Sequence, residues 1–298
     1  MKFSVKERAI ISLCIVAFSY SLLNVSIRLL NSGFGPFSQV YLRICLGLIL
    51  TIILFFREIS LSKIKKISSK DWFILFLMGT IGYGVAVDFA TLGVLHTNLL
   101  NVAVIGSTTP FFIFLFSVIF LQKSFSKSLL FFLLLSFYGI CVLATNSLLP
   151  VLNHFASGDF YILLFAMGIG VYILGRKFLS SHLNNSEIAV IVMFFAFISS
   201  LIIAIGKGEA LHLAGFENPT ALLGLFLGGT LNLVATKLEN FGFHNLSAVT
   251  GSQIMLLENI FSPLLGFILY SETISLVEFV GAVVVLTGVW FYIKHERG

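Results

Sequence analysis

The chain has 298 residues, of which 58% are hydrophobic and 10% are charged, with a mean hydropathy of +1.05. A water-soluble domain carries roughly 25% charged residues, so these figures exclude a surface that faces water throughout and make lipid the main solvent. The net charge of +5 does not imply a nucleic-acid partner, because the basic residues sit in short segments between apolar runs.

Crossing the hydrocarbon core takes about 20 apolar residues, and the chain offers ten such windows bounded by charge, Pro, Gly or Asn. The first follows Lys2, Lys6 and Arg8 and runs from Ile10 to about Leu30. It is too long for a signal-peptide core and has no small-x-small site after it, so it reads as a retained helix. The second, Pro36 to Phe56, opens on a proline suited to a first helical turn. A basic loop, Arg57 to Lys70, leads to the third, Trp72 to Leu92, with Asp71 placed as its N-cap. Leu99 to Leu121 and Ser128 to Ser147 complete a first group of five. The second group reads Phe160 to Leu179, with Asp159 as N-cap, then Glu187 to Ile205, Thr220 to Glu239, Ser247 to Tyr270 and Leu276 to Ile293. The expected fold is therefore all-α, a polytopic membrane protein of ten transmembrane helices.

Orientation follows from the 18 Lys and Arg. With the N-terminus inside, fifteen of them fall in cytoplasmic segments and Lys207 alone falls outside, while Arg28 and Arg43 lie within helices. The asymmetry places both termini in the cytoplasm of a cell inner membrane. Cys14, Cys45 and Cys141 all lie in apolar runs without metal-binding spacing and read as packing residues; no cofactor is implied.

Adding 149 to a position aligns the two groups without gaps over helices three to five: Gly79 meets Gly228, Gly93 meets Gly242, Phe112 meets Phe261 and Gly139 meets Gly288. The expected domains are residues 1–148 and 149–298. Five helices per unit is an odd number, so the second unit enters the membrane from the opposite side. Two inverted repeats are a frequent carrier design, with a solute site near the midplane between them.

The segment NVAVIGSTTPFFIFLFSVIFLQKSFSKSLLFFLLLSFYGICVLAT and its partner AVTGSQIMLLENIFSPLLGFILYSETISLVEFVGAVVVLTGVWFY resemble the signature end of EamA-type repeats in the drug/metabolite transporter superfamily. That family has a Pro or Glu-Pro in the fourth helix of each repeat and a Glu thirteen residues later. Here Lys123 replaces the first Glu while Glu272 keeps the second, and Asn259 replaces the Pro beside Glu258, with Pro263 a turn further on. The resemblance implies a secondary transporter that exports amino acids or related small metabolites by alternating access. Proton-coupled uptake, with Glu258 as proton carrier, is the alternative, and a passive channel is a different class that would need a continuous polar stripe.

Ionisable side chains inside a bilayer are costly and therefore functional candidates. Glu258 reads as the deepest, either meeting a solute or proton or serving as an interhelical hydrogen-bonding group. Asn232 shares a helical face with Gly228, Thr236 and Glu239, a stripe that reads mainly as packing apart from the Asn232 amide. Asn24 and Arg28 lie four apart on helix one, Arg43 lies inside helix two and Asp88 in the outer part of helix three. Asp88 is placed to neutralise one arginine, either leaving the other for an anionic group or forming a structural pair. Tyr83, Tyr172, His96, Gln253 and Asn259 complete the candidates. Lys237 reads as a snorkelling side chain, and GTIGYG, Gly79 to Gly84, lacks the strand and turn of a nucleotide site. No HExxH, Walker A or GxSxG motif is present, so no enzyme is expected. Helices one, three, four, six, eight and nine are expected to line a cavity. Helices five and ten, without a charged residue beyond Glu278, are expected at the periphery.

Overall fold

The computed structural model describes residues 3–97, 99–122, 124, 126–150, 156–180, 182–209, 213–270 and 273–296. Lys123 and Glu272 lie outside them, as do the side chains of Asn24 and Arg28.

Ten helices among the described residues are long and apolar enough to cross a membrane. They are α1 (Val5–Leu30), α2 (Pro36–Phe55), α3, α4, α5 (Lys127–Thr145), α6 (Ser157–Phe178), α7 (Asn185–Gly206), α8 (Pro219–Asn245), α9 and α10 (Leu276–Glu296). Three of them are interrupted. Helix α3 runs through Ser69–Leu77, a π-helical stretch Met78–Val85 and Ala86–His96. Helix α4 consists of Leu99–Gly106 and Thr109–Leu121, and α9 of Ala248–Met255 and Glu258–Tyr270.

The helix starts follow from capping chemistry. Ser4, Ser68, Ser126, Asn184 and Ser247 each accept a backbone N–H of the first turn through the side chain, and Pro36 follows Gly35 as the first helical residue. Asp71 and Asp159 are not the caps expected of them. Both stand three residues inside the cap, where Asp71 accepts the Ser68 hydroxyl at 3.0 Å and Asp159 accepts the Ala156 N–H at 2.8 Å. From there each also ties its helix to another, Asp71 to the Ser180 hydroxyl at 2.6 Å and Asp159 to Thr97 at 2.5 Å.

The 149-residue offset governs the packing as well as the spans. The two halves of α4 and the two halves of α9 coincide residue for residue under it. A Cβ on Gly79 would lie 2.7 Å from Val192 O, and one on Gly228 would lie 2.7 Å from Arg43 Cδ, at the position equivalent to Val192. Gly139 abuts the backbone N of Val285 and Gly288 that of Ser136, again equivalent positions. The glycines of GTIGYG are likewise contact surfaces: Gly79 and Gly84 admit α7, and Gly82 admits Tyr172 of α6.

Helices α5 and α10 pack on each other at the edge, and α2 crosses α7 at the centre. Helix α1 packs with α8 and α9, and equivalently α6 packs with α3 and α4. These two groups meet at mid-span, where α3 reaches α8, and more extensively at one end. There α6 meets α8, with the Lys177 ammonium donating to the Leu246 carbonyl, and the second half of α4 meets the first half of α9. The equivalent contacts at the opposite end, α1 with α3 and the first half of α4 with the second half of α9, are marginal at most among the described residues. Among the described residues the two groups are thus packed more closely where α6 and α8 terminate than at the other end.

Candidate functional site

Four of the expected site residues, Tyr83, Asn232, Arg43 and Asp88, lie together on the line where the halves meet. The Tyr83 hydroxyl on α3 donates to Asn232 Oδ1 on α8 at 2.8 Å, both residues being buried. Tyr83 and Asn232 are equivalent under the 149-residue offset, so this hydrogen bond lies on the pseudo-twofold axis. The Tyr83 ring also meets Tyr172 of α6, with centroids 5.6 Å apart.

Arg43 lies beside this pair. Its stem packs in the space left by Gly228, its Nε donates to Gln39 O at 3.2 Å, and its Nη1 has no partner among the described residues. Asp88 faces it from α3, 2% exposed, with both carboxyl oxygens unpartnered. The two attract each other without touching. The one ion pair among the described residues joins Lys237 to Glu58 instead. The expected Asp88–Arg pair is therefore absent as a contact for Arg43.

Glu258 begins the second half of α9, near the middle of that span, and is half-buried. A second acid, Glu239, is 3% exposed on α8, which does not stop near Glu239 but continues to Asn245. Tyr20 of α1 and Tyr172 of α6 turn toward its carboxyl, and Glu258 lies within electrostatic reach. Gln253 is fully buried with both amide atoms unpartnered. Asn259, half-buried, bonds back to Leu256 O at 3.3 Å. Asn24 lies on α1, with its side chain outside the described residues. His96 is exposed at the end of α3 and bonds to Leu92 O, away from the group.

Asn259 does not abolish the interruption that Pro110 makes in α4. Proline removes an N–H and crowds the preceding turn, and in α9 the same break is made by tight turns. The N–H groups of Leu256 and Leu257 bond three residues back, to Gln253 and Ile254, and Asn259 N–H bonds to Leu256 O. Each repeat thus has an interrupted helix near mid-span. Glu239 and Tyr20 were not legible as site residues, the first because it stood at the end of an apolar window and the second because a single Tyr in an apolar helix carries no pattern.

No group of His, Cys, Asp and Glu that could hold a metal ion occurs among the described residues.

Ten helices long and apolar enough to cross a membrane, in two five-helix repeats with polar residues of both meeting at the pseudo-twofold, follow the design of inverted-repeat membrane transporters. The EamA-like transporter family matches the chain twice, over residues 7–145 and 156–294; the chain belongs to this family of transporters. It is 21% identical over 245 residues to the uncharacterized transporter sll1164 of Synechocystis sp., spanning 80% of this chain and 70% of that protein. It is 22% identical over 208 residues to the uncharacterized transporter YcxC of Bacillus subtilis, spanning 68% of this chain and 67% of that one. A crystal structure bearing no functional name superposes with a TM-score of 0.76 over 96% of this chain and 94% of its own, at 14% identity, and shares the fold.

Proposed function

We propose that the protein is a secondary carrier that exports amino acids or related small metabolites across the cell inner membrane by alternating access, with both termini in the cytoplasm. The observation that carries this reading is the Tyr83–Asn232 hydrogen bond on the pseudo-twofold, flanked by Asp88 and by the Arg43 guanidinium, whose Nη1 has no partner among the described residues. A site on that axis is contacted by both halves and can be offered to either side by rocking them. Arg43 supplies a guanidinium for a carboxylate, and Asn232, Gln253, Asn24, Asn259 and Glu258 supply polar contacts along the same interface. Closer packing at one end than at the other, among the described residues, favours a carrier over a channel, because a channel needs one continuous path.

The group of α1, α8 and α9 and the group of α3, α4 and α6, each drawn from both repeats, then act as the two moving units. Flux of labelled amino acids, organic amines, carboxylic acids and sugars in proteoliposomes tests the proposal. Saturable, trans-stimulated exchange of amino acids is expected, and Arg43→Gln should lower it at least tenfold while the protein remains monodisperse. Non-saturating flux, or wild-type exchange by Arg43→Gln, would overturn it.

A further inference from the structure

Helices α2 and α7 are equivalent, Pro36 falling on Asn185 at the 149-residue offset, and they are tied together at both ends. Where α2 begins, its first-turn N–H groups have no partner inside the helix. Those of Phe37 and Ser38 donate to Glu209 Oε2 at 2.9 and 3.2 Å, and the Ser38 hydroxyl donates to Glu209 O at 2.7 Å. A carboxylate at that point is favoured by the helix dipole as well. Two glycines bring it there. A Cβ on Gly35 would stand 2.6 Å from Glu209 Oε2, and Gly208, at φ +73°, turns the chain after α7 so that Glu209 N–H returns to Ala204 O at 2.9 Å. Where α7 begins, the same two positions meet with their chemistry exchanged. Under the offset Ser38 becomes Glu187 and Glu209 becomes Ser60, and Ser60 N–H donates to Glu187 Oε1 at 3.0 Å. The Glu187 carboxyl also accepts Asn184 N–H at 2.8 Å, and Asn184 Nδ2 donates to Glu58 O at 2.7 Å. Ser38 and Glu187 are both buried.

The contact between α6 and α8 is different, because the equivalent contact of α1 with α3 is marginal at most among the described residues. A contact made at one end only can open there and form at the other as the repeats exchange conformations. A contact already made at both ends by equivalent positions has no vacant counterpart to pass to. We infer that the α2–α7 pair is the fulcrum of the carrier, intact in both states, about which the group of α1, α8 and α9 and the group of α3, α4 and α6 turn. The inference rests on the carrier reading above and names the part of the molecule that keeps its internal contacts during transport. Its place suits the task, since α2 packs chiefly against α8 of one group and α7 chiefly against the π-helical stretch of α3 in the other. A contact present in both states stabilises both alike and drops out of the equilibrium between them. Glu187 and Glu209 thus set the stability of the carrier and not its rate.

The test is cross-linking of the full-length protein in a background with Cys14, Cys45 and Cys141 replaced. Cysteines are placed at 38 and 209, at 60 and 187, or at all four positions, and joined by a short bis-methanethiosulfonate linker. Both links should form in one molecule, and exchange of labelled amino acids in proteoliposomes should stay within twofold of the reduced sample. A link between cysteines at 177 and 246, across the α6–α8 contact, is the control that should stop exchange. If the cysteine proteins do not purify as single species, Glu209→Ala decides. It should lower the melting temperature and leave the KM and the maximal rate of exchange within twofold of wild type. Arrest of exchange by the 38/209 or the 60/187 link, mutually exclusive formation of the two, or a Glu209→Ala protein that melts like wild type or changes exchange more than twofold would each overturn the fulcrum. If the wild type exchanges no amino acid, the carrier reading fails by itself and the linking decides the fulcrum: both links in one molecule retain it, and one link excluding the other removes it.

Discussion

Lys237 shows how a charge within an apolar helix is accommodated. Its position in α8 suggests an ammonium reaching for the interface, and it does reach, to Glu58 at 3.0 Å in the loop after α2, while lying over the Phe55 ring. Glu58 also accepts the Ser186 hydroxyl at 2.5 Å, and its backbone carbonyl accepts Asn184 Nδ2, so one residue gathers α2, α7 and α8. The Ser186 hydroxyl first, and the Lys237 ammonium with it, hold the Glu58 carboxyl below its ordinary value. A depressed carboxyl contributes stability that is fully present above its unfolded value and is lost as pH falls through its folded one. The clasp is exposed to water, so about 0.2–1 kcal/mol is expected. Glu58→Gln should therefore melt below wild type at about pH 7, with the difference vanishing near pH 3. A gap that persists or grows in acid would contradict the linkage. Such a partnership is invisible in the sequence because Glu58 and Lys237 are 179 residues apart. The residue types were legible and their mates were not.

Among the helices, α5 and α10 depend on each other most directly. A Cβ on Gly139 would stand 2.7 Å from Val285 N and 3.0 Å from Gly281 O, and one on Gly281 2.7 Å from Leu143 N. Backbone atoms cannot move aside as a side-chain end can, so overpacking here costs about 1–3 kcal/mol. Gly106 is the contrast, since the nearest atom to a Cβ there is 3.9 Å away. Gly139→Ala should lower the melting temperature in detergent, and Gly106→Ala should leave it within the scatter. Equal melting of the two variants would mean that the α5–α10 contact is looser than the distances imply. Repetition made the important glycines legible, since Gly139 and Gly288 fall on one another at the 149-residue offset. The interruptions were harder to read. Pro110 signals the break in α4, but the break in α9 falls at Leu256 and Leu257 with Asn259 in place of the proline, and the π-helical turn of Met78–Val85 has no counterpart in α8, which stays regular through the equivalent residues. Both depend on how neighbouring helices take up freed backbone groups, which hydropathy does not record.

At the scale of the whole molecule, the repeat supplies the second conformation as well as the first. The present closure joins Lys177 at the end of α6 to the Leu246 carbonyl at the end of α8. Subtracting 149 from each gives Arg28 at the end of α1 and Thr97 at the end of α3, on the opposite, less closely packed side. An inverted repeat can exchange the conformations of its halves at little net cost, because each half then takes up the packing that the other has left. In the opposite state residues 28 and 97 should approach as 177 and 246 do now. Cysteines placed at 177 and 246, or at 28 and 97, in a background with Cys14, Cys45 and Cys141 replaced, can be joined by a short bis-methanethiosulfonate linker. The 177/246 pair should link readily in the resting protein and stop exchange until reductant is added. The 28/97 pair should link slowly at rest and faster when a transported solute favours the other state. A protein carrying both pairs should accept either link but not both at once. Formation of both links in one molecule would mean that the two ends close independently, and the exchange of conformations between repeats would then have to be abandoned.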